Sequence, residues 1–394
     1  VTFVGRKLLV LTLLLILLWP GTIETAGAAE PNPIDEIIQQ QLQAIDTAEL
    51  DNYLRQLEQE YEGLLPDLSL GGVLKSVRSQ EGFSLAQLMK ALFTILFREF
   101  TAQSTLLIRL LVLAMLCVLL QHLHEAMDSR VADIAYLICY LVIMGFALQS
   151  FGRALNLTRD ALDSMLSFVH SLFPLLLTVV MAAGNVSSAA LFNPVLMLVL
   201  ASISTLIVNV AVPLIFFAGV LILANNLSQS IKVSRLAFLL RDIGAGIMGI
   251  LFMLFVGYNI AQATVGAVAD GAAFRAGKFA VKAFLPVVGG MLSDGFETLA
   301  GCTALIGNTL SFVGVVGIAL YCALPAIRII SLLAIYRIAA AVIEPLGGGL
   351  LAKSLNEISG IFTYFFGALT VVGVMLFILI TVIVGTGNNA LMLR

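Results

Sequence analysis

The chain has 394 residues, of which 60% are hydrophobic and only 11% charged, with a net charge of −3; ordinary soluble domains carry about 25% charged residues. So few charges cannot cover a soluble protein of this size, and no basic cluster stands out that would meet a nucleic acid. Several apolar runs reach the roughly 20 residues that a helix needs to cross about 30 Å of hydrocarbon. None alternates with period two as the strands of a membrane barrel do. The predicted fold class is therefore all-α, a polytopic helical membrane protein. Its four cysteines, Cys117, Cys139, Cys302 and Cys322, form no C-x-x-C pair and lie in or beside apolar runs, which predicts packed free thiols rather than a disulfide framework or a metal site.

Arg6 and Lys7 precede a short apolar run over 8–19, broken by Pro20 and Gly21, and Ala26-Gly27-Ala28 follows. That order reads as a signal peptide over 1–29, with an uncleaved signal anchor as the alternative. Either delivers the next residues outside the cytoplasm.

Residues 30–102 read as an extracytoplasmic amphipathic helical region. Ile34, Ile37, Ile38, Leu42 and Ile45 share one helical face, and Leu50, Leu54, Leu57, Tyr61 and Leu64 step by 4, 3, 4 and 3. Pro66 and Gly71-Gly72 end this pattern. Ser84 is a candidate N-cap for a further helix through Leu85, Leu88, Met89, Leu92, Ile95, Leu96 and Phe100, expected along the membrane surface. The region serves either as a docking module or as a cap on the membrane domain.

Residues 103–152 hold the first two predicted transmembrane helices, 104–121 and 131–151. His122, His124, Glu125 and Asp128 between them fit a polar connection better than a metal site, since no further ligand converges there. Two larger sections follow, 153–262 and 263–394, predicted as membrane repeats. The first holds apolar runs at 165–183, 191–210, 213–224 and 243–260; the second holds 278–292, 305–322, 326–343 and 361–384. Pro174 and Pro286 are separated by 286 − 174 = 112 residues, and Pro213 and Pro325 by 325 − 213 = 112. Duplicated, Pro-interrupted hydrophobic segments mark membrane proteins built from two related halves; the competing explanation is an accident of register between similar helices. Full crossing of the Pro174 and Pro286 segments makes the halves parallel and re-entry makes them inverted, and the positive-inside rule does not choose between them.

The candidate pathway residues follow from these interruptions. Lys282, Pro286, Asp294 and Glu297 mark one poor span; His170, Pro174 and Asn185 mark its counterpart. Broken helices at membrane depth are tolerated where protein or a water-filled cavity surrounds them, although an interfacial elbow gives the same sequence. Pro213 and Pro325 form the second pair. Arg337 and Glu344, seven residues apart, fall on one helical face and carry polar groups that the membrane disfavours unless they are paired or wet; single polar residues of this kind also serve as glue between helices. No phosphate loop, H-E-x-x-H, G-x-S-x-G or paired-carboxylate arrangement occurs, so no enzyme activity and no cofactor is expected.

Three stretches, LTRDALDSMLSFVHSLFPLLLTVVMAAGN (157–185), RDIGAGIMGILFMLFVGYNIAQATVGAVADG (241–271) and GKFAVKAFLPVVGGMLSDGFETLAGC (277–302), resemble the stage III sporulation protein AE family of endospore-forming bacteria. The resemblance extends over nearly the whole chain. It implies a mother-cell protein in the membrane around the forespore. Such a protein joins other stage III sporulation A proteins, including an ATPase and ring-forming components, in a channel or feeding complex that meets stage II sporulation protein Q across the intermembrane space. It carries over no catalytic or ligand residues. The expected function is thus a channel or secretion-complex subunit of export-gate or permease type, in contact with lipid, with homo-oligomerisation left open. The alternatives are a self-sufficient secondary transporter with a substrate site between repeats, and a structural scaffold.

Overall fold

Apolar runs separated by residues that tolerate helix fuse into longer helices, and this chain does so repeatedly. The computed structural model describes residues 48–61, 85–127, 130–182, 186–227, 233–284 and 289–392, all within one unit spanning residues 38–394. The predicted signal segment lies outside the described residues. In chain order the helices are α1 (Ala48–Glu60), α2 (Leu85–Ala102), α3 (Ser104–Met127), α4 (Arg130–Ala182) and α5 (Val186–Leu206). A π turn (Ile207–Ala211) leads into α6 (Val212–Leu227); α7 (Ser234–Phe284), α8 (Gly289–Ile343) and α9 (Gly349–Met392) complete the order. No strand occurs among the described residues. Six helical stretches are long and apolar enough to cross a membrane: Ser104–His122, Leu137–Met181, Val195–Asn225, Ser234–Gln262, Thr309–Leu346 and Gly349–Ile383.

The predicted runs 131–151 and 165–183 are one helix. α4 has 53 residues, about 80 Å at 1.5 Å per residue, and it passes through the expected boundary at 152/153. The linking residues 153–164 are polar enough to resemble a connection, but they contain Ala154, Leu155, Ala161 and Leu162 and no proline, so nothing breaks the backbone ladder. In the same way α7 crosses the expected boundary at 262/263, and α8 joins 305–322 to 326–343.

Proline acts differently from expectation. α4 continues through Pro174 and α8 through Pro325, so no broken helix occurs at either position. A proline removes one backbone donor and crowds the carbonyl four residues earlier, a local defect that packing on both sides outweighs. Pro213 does perturb its helix: the Val212 N–H bonds to the Ile207 carbonyl, five residues back. This wider turn shifts the carbonyls that the Pro213 ring would otherwise meet.

The centre is a three-helix core of α4, α8 and α9. The hydroxyls of Ser150 and Tyr336 meet at 3.0 Å, and the Phe168 ring lies against Gly317, so α4 and α8 are antiparallel. Phe362 of α9 stacks near Phe151 and Tyr336, with ring centroids 5.3 and 5.5 Å away. Small residues allow this closeness, as membrane helices without a hydrophobic drive between them require. A Cβ at Gly314 or Gly317 would collide with Leu172 or Phe168, respectively. The α8–α9 turn runs through a short 3-10 segment, Glu344–Leu346, to Gly347 at φ 92°, a conformation that favours glycine. α7 is held on α9 by the Arg241 guanidinium, 5.3 Å from the Tyr364 ring centroid, and it is tied to α6 by the Ser234 N–H donating to Asn225 Oδ1 at 3.0 Å.

α1 packs on this core. Leu50, Leu54, Leu57 and Tyr61 are fully buried, as their 4-3-4 spacing predicts, and α1 touches both α4 and α8. The Tyr61 hydroxyl donates to the Leu320 carbonyl at 2.6 Å, and the Tyr321 hydroxyl donates to the Tyr53 carbonyl at 3.0 Å. Tyr53 and Tyr321 flank Phe168, with centroids 6.3 and 5.4 Å from it. Residues 48–61 are therefore a cap on the helical core. α2 rests on α8 and buries Ala91 and Ile95, while Met89, Phe93 and Phe97 face outward. Glu99 of α2 reaches Arg328 of α8 at 3.9 Å.

Candidate functional site

α4 divides sharply by face. Its buried side is apolar and includes Leu162, Met165, Phe168, Val169, Leu172 and Phe173. The opposite side exposes Arg153, Asn156, Asp160, Asp163, Ser167, His170, Pro174 and Thr178. From Arg153 to Pro174 the intervals are 3, 4, 3, 4, 3 and 4 residues, the spacing of a single stripe on a helix. The stripe spans 174 − 153 = 21 residues, or about 32 Å, close to the roughly 30 Å thickness of a bilayer core.

The height of this stripe follows from its neighbour. α4 ends at Ala182 and α5 begins at Val186, and the Phe151 ring packs where Gly219 leaves room for it. The two stretches 151–182 and 186–219 therefore run side by side. Along the second, Val195, Leu198, Leu206, Val210 and Phe217 are exposed, with Ser202, Thr205 and Asn209 among them, a largely apolar surface. At the same level, α4 presents an amide, two carboxylates, a guanidinium and an imidazole.

None of Asn156, Asp160, Asp163, Ser167 or His170 makes a side-chain hydrogen bond or ion pair with a described residue. Arg153 lies near the Tyr336 hydroxyl, itself bound to Ser150. Arg159, half-buried beside the stripe, leaves its Nε without a partner among the described residues. Ionisable groups facing hydrocarbon without partners are costly, so this face requires water or a polar surface against it. The described residues contain no cluster of three or more His, Cys, Asp or Glu able to hold a metal.

The structure brings His170 and Pro174 into the stripe. Thr178, one turn beyond Pro174, donates its hydroxyl to the Pro174 carbonyl at 2.8 Å. Pro213 follows the π turn and Pro325 lies inside α8, both half-buried and away from the stripe. Arg337 and Glu344 are exposed on α8 and its terminal turn, with no ion pair between them. Asn185 and Pro286 lie outside the described residues, as do the side chains of Lys282, Asp294 and Glu297, whose backbones are helical. His122 of the expected loop sits 3.3 Å from the Leu346 carbonyl. Sequence inspection missed Asn156, Asp160, Asp163 and Ser167 as candidates, and Arg153 falls between its predicted runs 131–151 and 165–183. The signal was present in the 3-4 alternation of polar residues leading to His170.

The chain matches the family model for stage III sporulation protein AE over residues 68–387. It is 35% identical over 392 residues to the stage III sporulation protein AE of Bacillus subtilis (strain 168), covering 98% of each sequence. The chain belongs to the stage III sporulation protein AE family. No solved structure matches it. As a member of that family it is a sporulation protein with several apolar helices of membrane-crossing length, and its polar α4 face is a feature that such a membrane protein must place against something wet or polar.

Proposed function

We propose that this family member is a multi-pass subunit of a sporulation channel or feeding complex between mother cell and forespore, where it forms part of the export gate or permease. The observation that carries this is the bilayer-length polar face of α4, which the described residues leave uncovered beside a largely apolar surface. A scaffold needs only apolar outer faces, and a self-sufficient transporter would enclose its polar groups between its own helices. Here they are presented outward, to other subunits or to a shared aqueous space.

On this reading the protein resides in the mother-cell membrane around the forespore, with its N-terminal region on the extracytoplasmic side, and it catalyses no reaction. On the same reading its partners are an ATPase to provide energy, ring-forming stage III sporulation A proteins, and stage II sporulation protein Q as an indirect partner. The proposed duplication is supported by the equal 112-residue spacing of Pro174/Pro286 and Pro213/Pro325. α6 and α8, which carry the second pair, each pack on the helix that follows.

The test is in-membrane cross-linking in sporulating cells, followed by purification of this protein and identification of what accompanies it. Recovery of the ATPase and ring-forming proteins is expected. Recovery alone at native abundance would contradict membership of the apparatus.

A further inference from the structure

We infer that α2 and the first turns of α3 form a binding site for anionic phospholipid at the edge of the bilayer. A basic edge holds the headgroup phosphate and an adjoining apolar row holds the acyl chains. The site lies away from α4 and stands independently of the subunit role above.

α2 has three faces. Ala91 and Ile95 are buried where it packs on α8. Met89, Phe93 and Phe97, four residues apart, are 52, 58 and 62% exposed, and Ile108, Val112, Met115 and Leu119 carry an exposed apolar row along α3. The Gln103 N–H donates to the Glu99 carbonyl, so α2 runs into α3 with one turn residue between them. Beside the apolar row, Lys90, Thr94, Arg98, Thr101, Thr105 and Arg109 are all exposed and step by 4, 4, 3, 4 and 4 residues, one edge of a helix. Lys90, Arg98 and Arg109 make that edge cationic, and it holds no acid. Glu99 turns instead to Arg328 of α8, at 3.9 Å. The hydroxyls of Thr94 and Thr101 donate to the carbonyls of Lys90 and Arg98, so recognition of an anion falls to the cations.

Position along the bundle selects the partner. The 19-residue stretch Ser104–His122 of α3 is about 28 Å long, enough to cross the hydrocarbon. Its two ends are marked on α8: Glu99, just before it, reaches Arg328, and His122 lies beside the Leu346 carbonyl. α1 lies beyond Arg328 in the other direction, where Tyr61 bonds to Leu320 and Tyr321 bonds to Tyr53. Its Asn52, Arg55, Gln56 and Gln59 are exposed and require water. α2 thus meets α8 between a hydrocarbon level and an aqueous one, which is where headgroups lie. A helix with an apolar face and basic residues binds such a layer, most strongly where the lipid is anionic. Arg109 fits the same layer. Helical side chains tilt toward the N-terminus, so its guanidinium reaches back toward the headgroups rather than into hydrocarbon. A protein partner would have to match a cationic edge and an aromatic row together at the membrane surface; anionic phospholipid supplies both in one molecule.

The experiment uses purified full-length protein in vesicles of phosphatidylcholine and phosphatidylglycerol, one of the two carrying brominated acyl chains that quench tryptophan on contact. The sequence has one tryptophan, Trp19, so a Trp19→Phe background leaves each added probe as the sole tryptophan. Phe97→Trp reports the site, Val112→Trp the lipid face of α3, and Asn52→Trp the water-facing side of α1. Brominated phosphatidylglycerol should quench Phe97→Trp at least about twofold more than the same fraction of brominated phosphatidylcholine, a preference that added salt weakens. Arg98→Gln with Arg109→Gln should remove the preference while Val112→Trp stays quenched, which shows the bundle still seated in the bilayer. Equal quenching by the two lipids at low salt would overturn the anionic site. Phe97→Trp quenched no more than Asn52→Trp, with Val112→Trp quenched, would overturn lipid contact and leave this face to water or to a protein. Co-purification with the ATPase and ring components is read separately, so neither result decides the subunit role.

Discussion

Phe168 shows how tightly single residues define this bundle. Its ring is fully buried, lies against Gly317 and is flanked by Tyr53 and Tyr321, so it has nowhere to retreat. Gly317→Ala should destabilise the α4–α8 contact by about 1–3 kcal/mol, the usual cost of overpacking. The check is the heat-aggregation midpoint of the protein in detergent. Gly257→Ala is the contrast: a Cβ there meets nothing within 4 Å, and the change should be neutral or stabilising by up to about 1 kcal/mol. The hydroxyls of Tyr61 and Tyr321 bond in opposite directions across one interface. Tyr61→Phe and Tyr321→Phe should each cost about 0.5–1.5 kcal/mol, and the double variant should depart from additivity because both bonds hold the same contact.

At the scale of elements, α1 is the most separable piece. Four buried side chains and two tyrosine hydrogen bonds fasten it to α4 and α8. Leu54→Asp should release it, because an unpaired carboxylate cannot remain in that apolar seat. Limited proteolysis in intact membranes would then cut within residues 48–61 while leaving the apolar helices whole. The face of α1 was legible in the sequence, since Leu50, Leu54, Leu57 and Tyr61 step at helical intervals. The membrane helices were legible as apolar runs, but their fusion was not. Composition marks where a run stops being apolar, and 153–164 stops being apolar on only one face, so a continuing helix was read as a connection. The prolines misled in a related way. Sequence shows that Pro174 and Pro325 each remove a donor, but it does not show that the packing of α4 and α8 keeps the helix intact around them. The candidate site was half legible: His170 and Pro174 belong to the stripe, whereas Asp160 and Asp163 stood out only once α4 was continuous.

At the scale of the whole molecule, three of the six apolar stretches form the α4–α8–α9 core, the other three pack around it, and the core's own contacts are nearly all apolar or tyrosine–serine pairs. Nothing in that core needs a carboxylate on the outer face of α4, so neutralising this face should spare folding and impair transport. The most direct measurement replaces Asp160 and Asp163 together, as Asp160→Asn with Asp163→Asn, at the native locus. Spore yield and membrane abundance are then read in the same sporulating culture. The expected result is normal abundance with a collapse in heat-resistant spores. Full spore yield at normal abundance would contradict a pathway along α4.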